Sequence, residues 1–166
     1  MFKYLIVLSS ILFFSCTNNL RNEFNLKRGT ISKEYMVVSA HPEASRIGSE
    51  ILNKGGNAFD AAIAVEFALA VCLPSAGNIG GGGFMVLRDK DGNINSLDYR
   101  EKSPLASYEK MFQDSCGNTI DGLSTRSHLS SGIPGTVDGM IKLHQNYGSL
   151  KFTELIQPAI DIALNG

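Results

Sequence analysis

Few side chains in this 166-residue sequence have the types and spacing that chemistry needs. His41, His128 and His144 lie too far apart to form a metal pair on one helix, and neither Cys72 nor Cys116 belongs to a Cys-x-x-Cys motif, so no metal is expected. Cys72 reads as a small buried hydrophobe, and nothing near Cys116 in sequence would lower its thiol pKa. The run Gly80-Gly81-Gly82-Gly83 could present backbone N–H groups to an anion. However, no Gly-x-Gly-x-x-Gly opens a helix there and no Lys-Ser/Thr follows, so the run predicts close backbone approach rather than nucleotide binding. Arg100, in Asp98-Tyr99-Arg100-Glu101, carries a planar fork that matches the two oxygens of a carboxylate. Pattern alone also accommodates a surface arginine paired with Asp98 or Glu101, an arrangement worth little.

The elements that must hold these groups follow from periodicity. Met36–Ala40 is apolar and β-branched, which predicts a buried strand. His41-Pro42 opens a helix with Ala44, Ile47, Ile51 and Leu52 on one face, closed by Gly55-Gly56. Asn57 and Asp60 have the spacing of a capping box for a helix over Ala58–Leu73. Only Asp60 and Glu66 interrupt that helix's apolar character, so it should be buried within a layered core, with Glu66 needing a structural partner if ionised. Asp91-Gly92 between Phe84–Asp89 and Asn93–Arg100 predicts a hairpin. A short helix around Ser107–Gln113 and a polar loop over Asp114–Ser131 are expected next. A helix over Ile133–Tyr147 should then bury Ile133, Val137, Met140 and Ile141. The last helix, Phe152–Leu164, should kink or break at Pro158. No internal repeat is apparent. Helices on a hairpin sheet place the chain in the α+β or layered α/β class.

Composition excludes several classes. With 43% hydrophobic and 19% charged residues the chain is no disordered tail, and a net charge of −1 offers no basic excess for nucleic acid. Residues 1–15 have the layout of a secretory signal peptide: Lys3, then the apolar stretch Tyr4–Phe14, then Ser15. Cys16 after a small residue resembles a bacterial lipoprotein signal, in which that cysteine is lipidated. An ordinary signal peptide with an incidental cysteine is the alternative. Residues 16–34 read as a polar tether and 35–166 as the folded body. The expected location is therefore outside the cytoplasm, periplasmic or anchored to a membrane through the lipid.

Six ordered blocks carry a family resemblance: Val38–Ser45, Leu52–Ala64, Gly80–Met85, Leu97–Pro104, Gly132–Gly139 and Leu155–Ile160. Together they resemble the start of the large subunit of γ-glutamyltransferase, also called glutathione hydrolase. The resemblance implies an N-terminal-nucleophile hydrolase with a four-layer αββα sandwich. It implies a precursor that cuts itself into large and small subunits, and no cofactor. The new N-terminal threonine of the small subunit would attack a γ-glutamyl amide, with its own amine available as base. The acyl group would then pass to water, an amino acid or a peptide. By the same resemblance, Arg100 matches the arginine that grips the substrate carboxylate.

The resemblance also marks what this chain does not carry. None of its threonines (Thr17, Thr30, Thr119, Thr125, Thr136, Thr153) precedes a histidine, as the family's nucleophile block requires. No catalytic residue is therefore expected within it, and the sandwich should be incomplete, leaving the Ala58–Leu73 helix too little to pack on. The expectation is an N-terminal fragment, inactive alone, whose partners are glutathione or other γ-glutamyl compounds and the remainder of the precursor or its small subunit. The rival is a non-enzymatic lipoprotein module that binds small amino-acid ligands through Arg100.

Overall fold

The computed structural model describes residues 29–166, so the expected signal peptide, Cys16 and most of the expected tether lie outside the described residues. Residues Tyr35–Gly166 form one compact unit. No helix among the described residues is long and apolar enough to cross a membrane.

Helix α1 spans Pro42–Asn53. Pro42 sits in its first turn, and the imidazole Nδ1 of His41 caps it by accepting the Glu43 N–H at 3.2 Å. Ala44, Ile47, Gly48 and Ile51 are buried at helical spacing. Helix α2, Ala58–Cys72, begins with the expected capping box: Asn57 Oδ1 accepts from the Asp60 N–H at 2.9 Å, and Asp60 Oδ2 accepts from the Asn57 N–H at 2.9 Å. The two helices meet closely at Gly48, where a Cβ would lie 2.6 Å from Val65 Cγ2.

Asp60 also reaches across the molecule. Its carboxylate accepts the Ser149 N–H at 3.0 Å and the Ser149 hydroxyl, tying the start of α2 to the connection before the last helix. Burial opposes ionisation here. The Ser149 hydroxyl and the backbone N–H groups of Asn57, Ser149 and Leu150 outweigh it and hold the carboxyl below its usual range.

Strands β1 (Phe84–Arg88) and β2 (Ile94–Asp98) form an antiparallel hairpin in the register Phe84↔Asp98, Val86↔Ser96, Arg88↔Ile94. Met85 and Leu87 face the helices, while Phe84, Val86 and Ile94 are exposed on the other side. The turn is wider than the expected Asp-Gly pair. Asp89 organises it by accepting from the N–H groups of Asp91 and Asn93 and from the Asn93 amide, at 2.8–2.9 Å. Asp114–Asn118 builds the same turn, with Asp114 accepting from Cys116, Asn118 and the Asn118 amide. The pattern Asp-x-x-Gly-Asn is thus a short structural repeat that sequence inspection missed.

The remaining helices are α3 (Leu123–Arg126), α4 (Thr136–Tyr147) and α5 (Phe152–Asn165), with a 3-10 turn over His128–Ser130. The core joins α1, α2, α4, α5 and the inner face of β1. Helix α2 packs on α1, α5 and α4, yet only Asp60, Ala61, Ile63, Ala64 and Ala68 are fully buried, and Val65, Phe67, Leu69 and Val71 remain half-buried.

Several other expectations are corrected. Met36–Ala40 pairs with no strand among the described residues, and Val38 is 82% exposed, because a strand exists only through a neighbour's ladder. Ser107–Gln113 forms successive turns (Met111 N–H to Tyr108 O, 3.1 Å; Gln113 N–H to Lys110 O, 3.0 Å), being too short to sustain a helix unaided. The polar loop contains α3 and the 3-10 turn, joined by the Ser127 hydroxyl, which donates to Leu123 O at 2.6 Å and accepts from the Leu129 N–H. Helix α4 starts at Thr136 rather than Ile133, since Pro134 disfavours helical geometry before it and Ile133 bridges to Lys102. Its buried face is Thr136, Gly139, Met140 and Leu143, leaving Val137 and Ile141 exposed. Pro158 does not break α5, where Leu155 and Ala159 stay buried on either side of it.

Candidate functional site

Arg100 sits immediately beyond β2, where the strand runs out into a loop. Its backbone position is set by four glycines. A Cβ on Gly82 would lie 2.5 Å from Tyr99 O, and one on Gly135 only 1.9 Å from the same oxygen. A Cβ on Gly83 would meet the Tyr99 hydroxyl at 2.9 Å, and one on Gly139 the Tyr99 ring at 2.5 Å. The Gly135 and Thr136 N–H groups at the start of α4 both donate to Gly81 O, at 2.8 and 3.1 Å. The glycine run therefore packs backbone against backbone, as the spacing predicts.

The Arg100 side chain is 58% exposed. Its Nε donates to Glu101 Oε2 at 3.0 Å, and its guanidinium carbon lies 5.5 Å from the centroid of the Phe84 ring. Asp98 pairs with the Arg100 backbone N–H at 3.0 Å instead of the guanidinium. The Glu101 carboxyl is held below its usual range, first by its own backbone N–H, then by the Arg100 charge and hydrogen bond and by the Gly82 N–H. A cleft of about 300 Å³ opens beside Arg100, lined also by Tyr99, Ile133, Pro134, Gly135 and Lys142. With Nε occupied, the terminal nitrogens are the edge that can meet a carboxylate bidentately. Pairing with Glu101 and reaching for a ligand are thus compatible.

The other candidates serve structure. His41 caps α1. His144 Nε2 lies 2.7 Å from Leu150 O and donates to it, and its ring packs edge-on against Phe152. His128 opens the 3-10 turn. Cys72 is half-buried and Cys116 exposed. Thr136 is buried, with its hydroxyl directed at Asn78 O. Glu66 lacks the structural bond expected of it: no hydrogen bond reaches its side chain among the described residues. It lines an apolar cavity of about 350 Å³ with Met36, Val38, Val65 and Met85, where burial raises its carboxyl pKa. Sequence reasoning missed Phe84 as a neighbour of Arg100. The signal was the hairpin register, which sets Phe84 opposite Asp98, two residues before the arginine.

A family model described as gamma-glutamyltranspeptidase matches residues 44–166. The chain belongs to the gamma-glutamyltranspeptidase family. A glutathione hydrolase proenzyme of Pseudomonas sp. (strain A14) is 52% identical over 131 residues, covering 79% of this chain and 23% of that protein. The Escherichia coli (strain K12) glutathione hydrolase proenzyme is 46% identical over 135 residues, 81% of this chain and 23% of its own length. The crystal structure of Helicobacter pylori gamma-glutamyltranspeptidase superposes with a TM-score of 0.77 at 48% identity, over 81% of this chain and 39% of that one. The chain thus spans about a quarter of the length of these curated relatives. The stretch matched to the gamma-glutamyltranspeptidase model includes both glycine segments, the hairpin and Arg100.

Proposed function

We propose that this chain is the N-terminal portion of the large subunit of a γ-glutamyltransferase, a glutathione hydrolase, and that Arg100 holds the α-carboxylate of the γ-glutamyl donor. The observation that carries the reading is Arg100 itself. Its backbone is clamped by glycines, its Nε is occupied by Glu101, and the residue lines an open cleft. The amide end of such a donor is cleaved by a threonine nucleophile supplied by the remainder of the precursor, giving a γ-glutamyl-enzyme that water, an amino acid or a peptide resolves. The chain alone releases no glutamate. The exposed outer face of the hairpin, with Phe84, Val86 and Ile94, supports the view that this sheet is one of two in an αββα sandwich completed by further polypeptide.

The test is a chimera in which residues 35–166 replace the matching part of the Pseudomonas sp. relative. The chimera is expected to release glutamate from a γ-glutamyl anilide, and Arg100→Lys to raise KM by about 10- to 100-fold, the loss of a charge-assisted bidentate contact. An unchanged KM in that variant rejects the role of Arg100. Glutamate release by the purified 166-residue chain rejects its inactivity alone.

For location we propose export with lipidation of Cys16. Labelled palmitate should enter the protein and be lost in Cys16→Ser; no incorporation into the unaltered protein rejects the anchor.

A further inference from the structure

Resting on that reading of Arg100, we infer that Phe84 is a positioning residue whose ring fixes the plane and direction of the arginine fork. Phe84 is the first residue of β1 and pairs with Asp98, the last residue of β2. Its ring projects from the outer face of the hairpin, 67% exposed, on the same side as the arginine that follows β2. The chain then turns at Tyr99 and carries the guanidinium back over that ring, 5.5 Å from carbon to centroid.

A guanidinium over an aromatic face gains from the ring quadrupole and from flat contact. Glu101 holds the Nε edge at 3.0 Å, and the glycine contacts at Tyr99 fix where the side chain starts. Three independent constraints therefore act on one group: its root, one edge and one face. What they leave unconstrained is the terminal edge, which is the edge a carboxylate needs. Without the ring, Glu101 alone would still bind Nε but would allow the plane to rotate about that hydrogen bond. A lysine in place of Arg100 would gain little from the same cradle, because its ammonium has no plane to align.

The experiment reads the arginine directly. In the full chain labelled with [15N]arginine, the Nε–H signal of Arg100, assigned by its loss in Arg100→Lys, should be displaced upfield by the ring current. Phe84→Leu should move it downfield, to the position that the Glu101 hydrogen bond alone sets, Phe84→Trp should keep it displaced, and Val86→Ala on the same face should leave it in place. A signal that Phe84→Leu does not move downfield overturns the inference. In the chimera, Phe84→Leu should raise KM about two- to fivefold with kcat unchanged, and Phe84→Trp should restore it. If Arg100→Lys leaves KM unaltered there, the γ-glutamyl reading fails independently of the arginine signal. If Arg100→Lys acts but Phe84→Leu changes neither the signal nor KM, only the positioning role fails.

Discussion

The two ends of the hairpin are both governed by glycine, for opposite reasons. At the end that carries Arg100, Gly135 has φ −113°, which any residue adopts, yet a Cβ there would lie 1.9 Å from Tyr99 O. At the tip, Gly92 has φ +88°, and the nearest atom to a Cβ would be the Arg88 guanidinium at 3.5 Å. One glycine is required by its neighbours and the other by its own backbone. The site end is a unique fit between three segments of chain. The tip is a portable turn, and Asp114–Asn118 repeats it with Gly117 at φ +84° in open space. The end of the hairpin beside the candidate site is therefore the end least tolerant of change.

The largest expected effect separates these cases most sharply. Gly135→Ala should cost about 3 kcal/mol in urea unfolding, since the obstructing atom is backbone that cannot swing away. A cost near that of an ordinary surface substitution would break the comparison. Gly92→Ala should cost less, about 1–2 kcal/mol, from left-handed geometry alone, and Gly92→Asn should recover part of it. Equal costs for alanine and asparagine would show that contact, not φ, governs the tip.

The smallest effect is the response to acid. The Asn93 amide first, with the backbone N–H groups of Asn93, Asp91 and Gly92, holds the Asp89 carboxyl below its usual range; Asn118 does the same for Asp114. A depressed carboxyl contributes stability above its unfolded pKa of about 3.9 and loses it as pH falls further. The Asn93 and Asn118 amides should therefore lose hydrogen-exchange protection below about pH 4. The Tyr99 amide, paired with Gly83 O at 3.0 Å, should keep its protection over the same range. Loss of all three together would mean that acid unfolds the whole unit instead of loosening the turns.

Local signals were legible in the sequence and long-range ones were not. The Asn57–Asp60 box, the opening of α1 at His41-Pro42 and the hairpin depend on residues within a few positions of each other, and each stands where the pattern places it. The close backbone packing at the glycine run was also legible, because little else explains consecutive glycines that lack a phosphate motif. Met36–Ala40 was misread because its composition suits a strand but the ladder must come from elsewhere. The buried face of α4 was misread because Gly139, the position that admits the Tyr99 ring, carries no hydrophobic signal at all. For the candidate site, Arg100 stands out through its flanking residues. Its ring neighbour Phe84 lies sixteen positions away and is joined to it only by register.

The bond from Ser149 to Asp60 spans 89 residues of sequence. During synthesis, then, α2 leaves the ribosome apolar on every side while the residues that cap and cover its far face are not yet made. At ordinary elongation rates that delay is roughly 4–18 s, long compared with hydrophobic collapse. For that interval the nascent chain presents one of its most aggregation-prone segments with only α1 and the hairpin to shield it. Keeping α2 covered until Ser149 arrives is therefore a requirement separate from the stability of the finished fold.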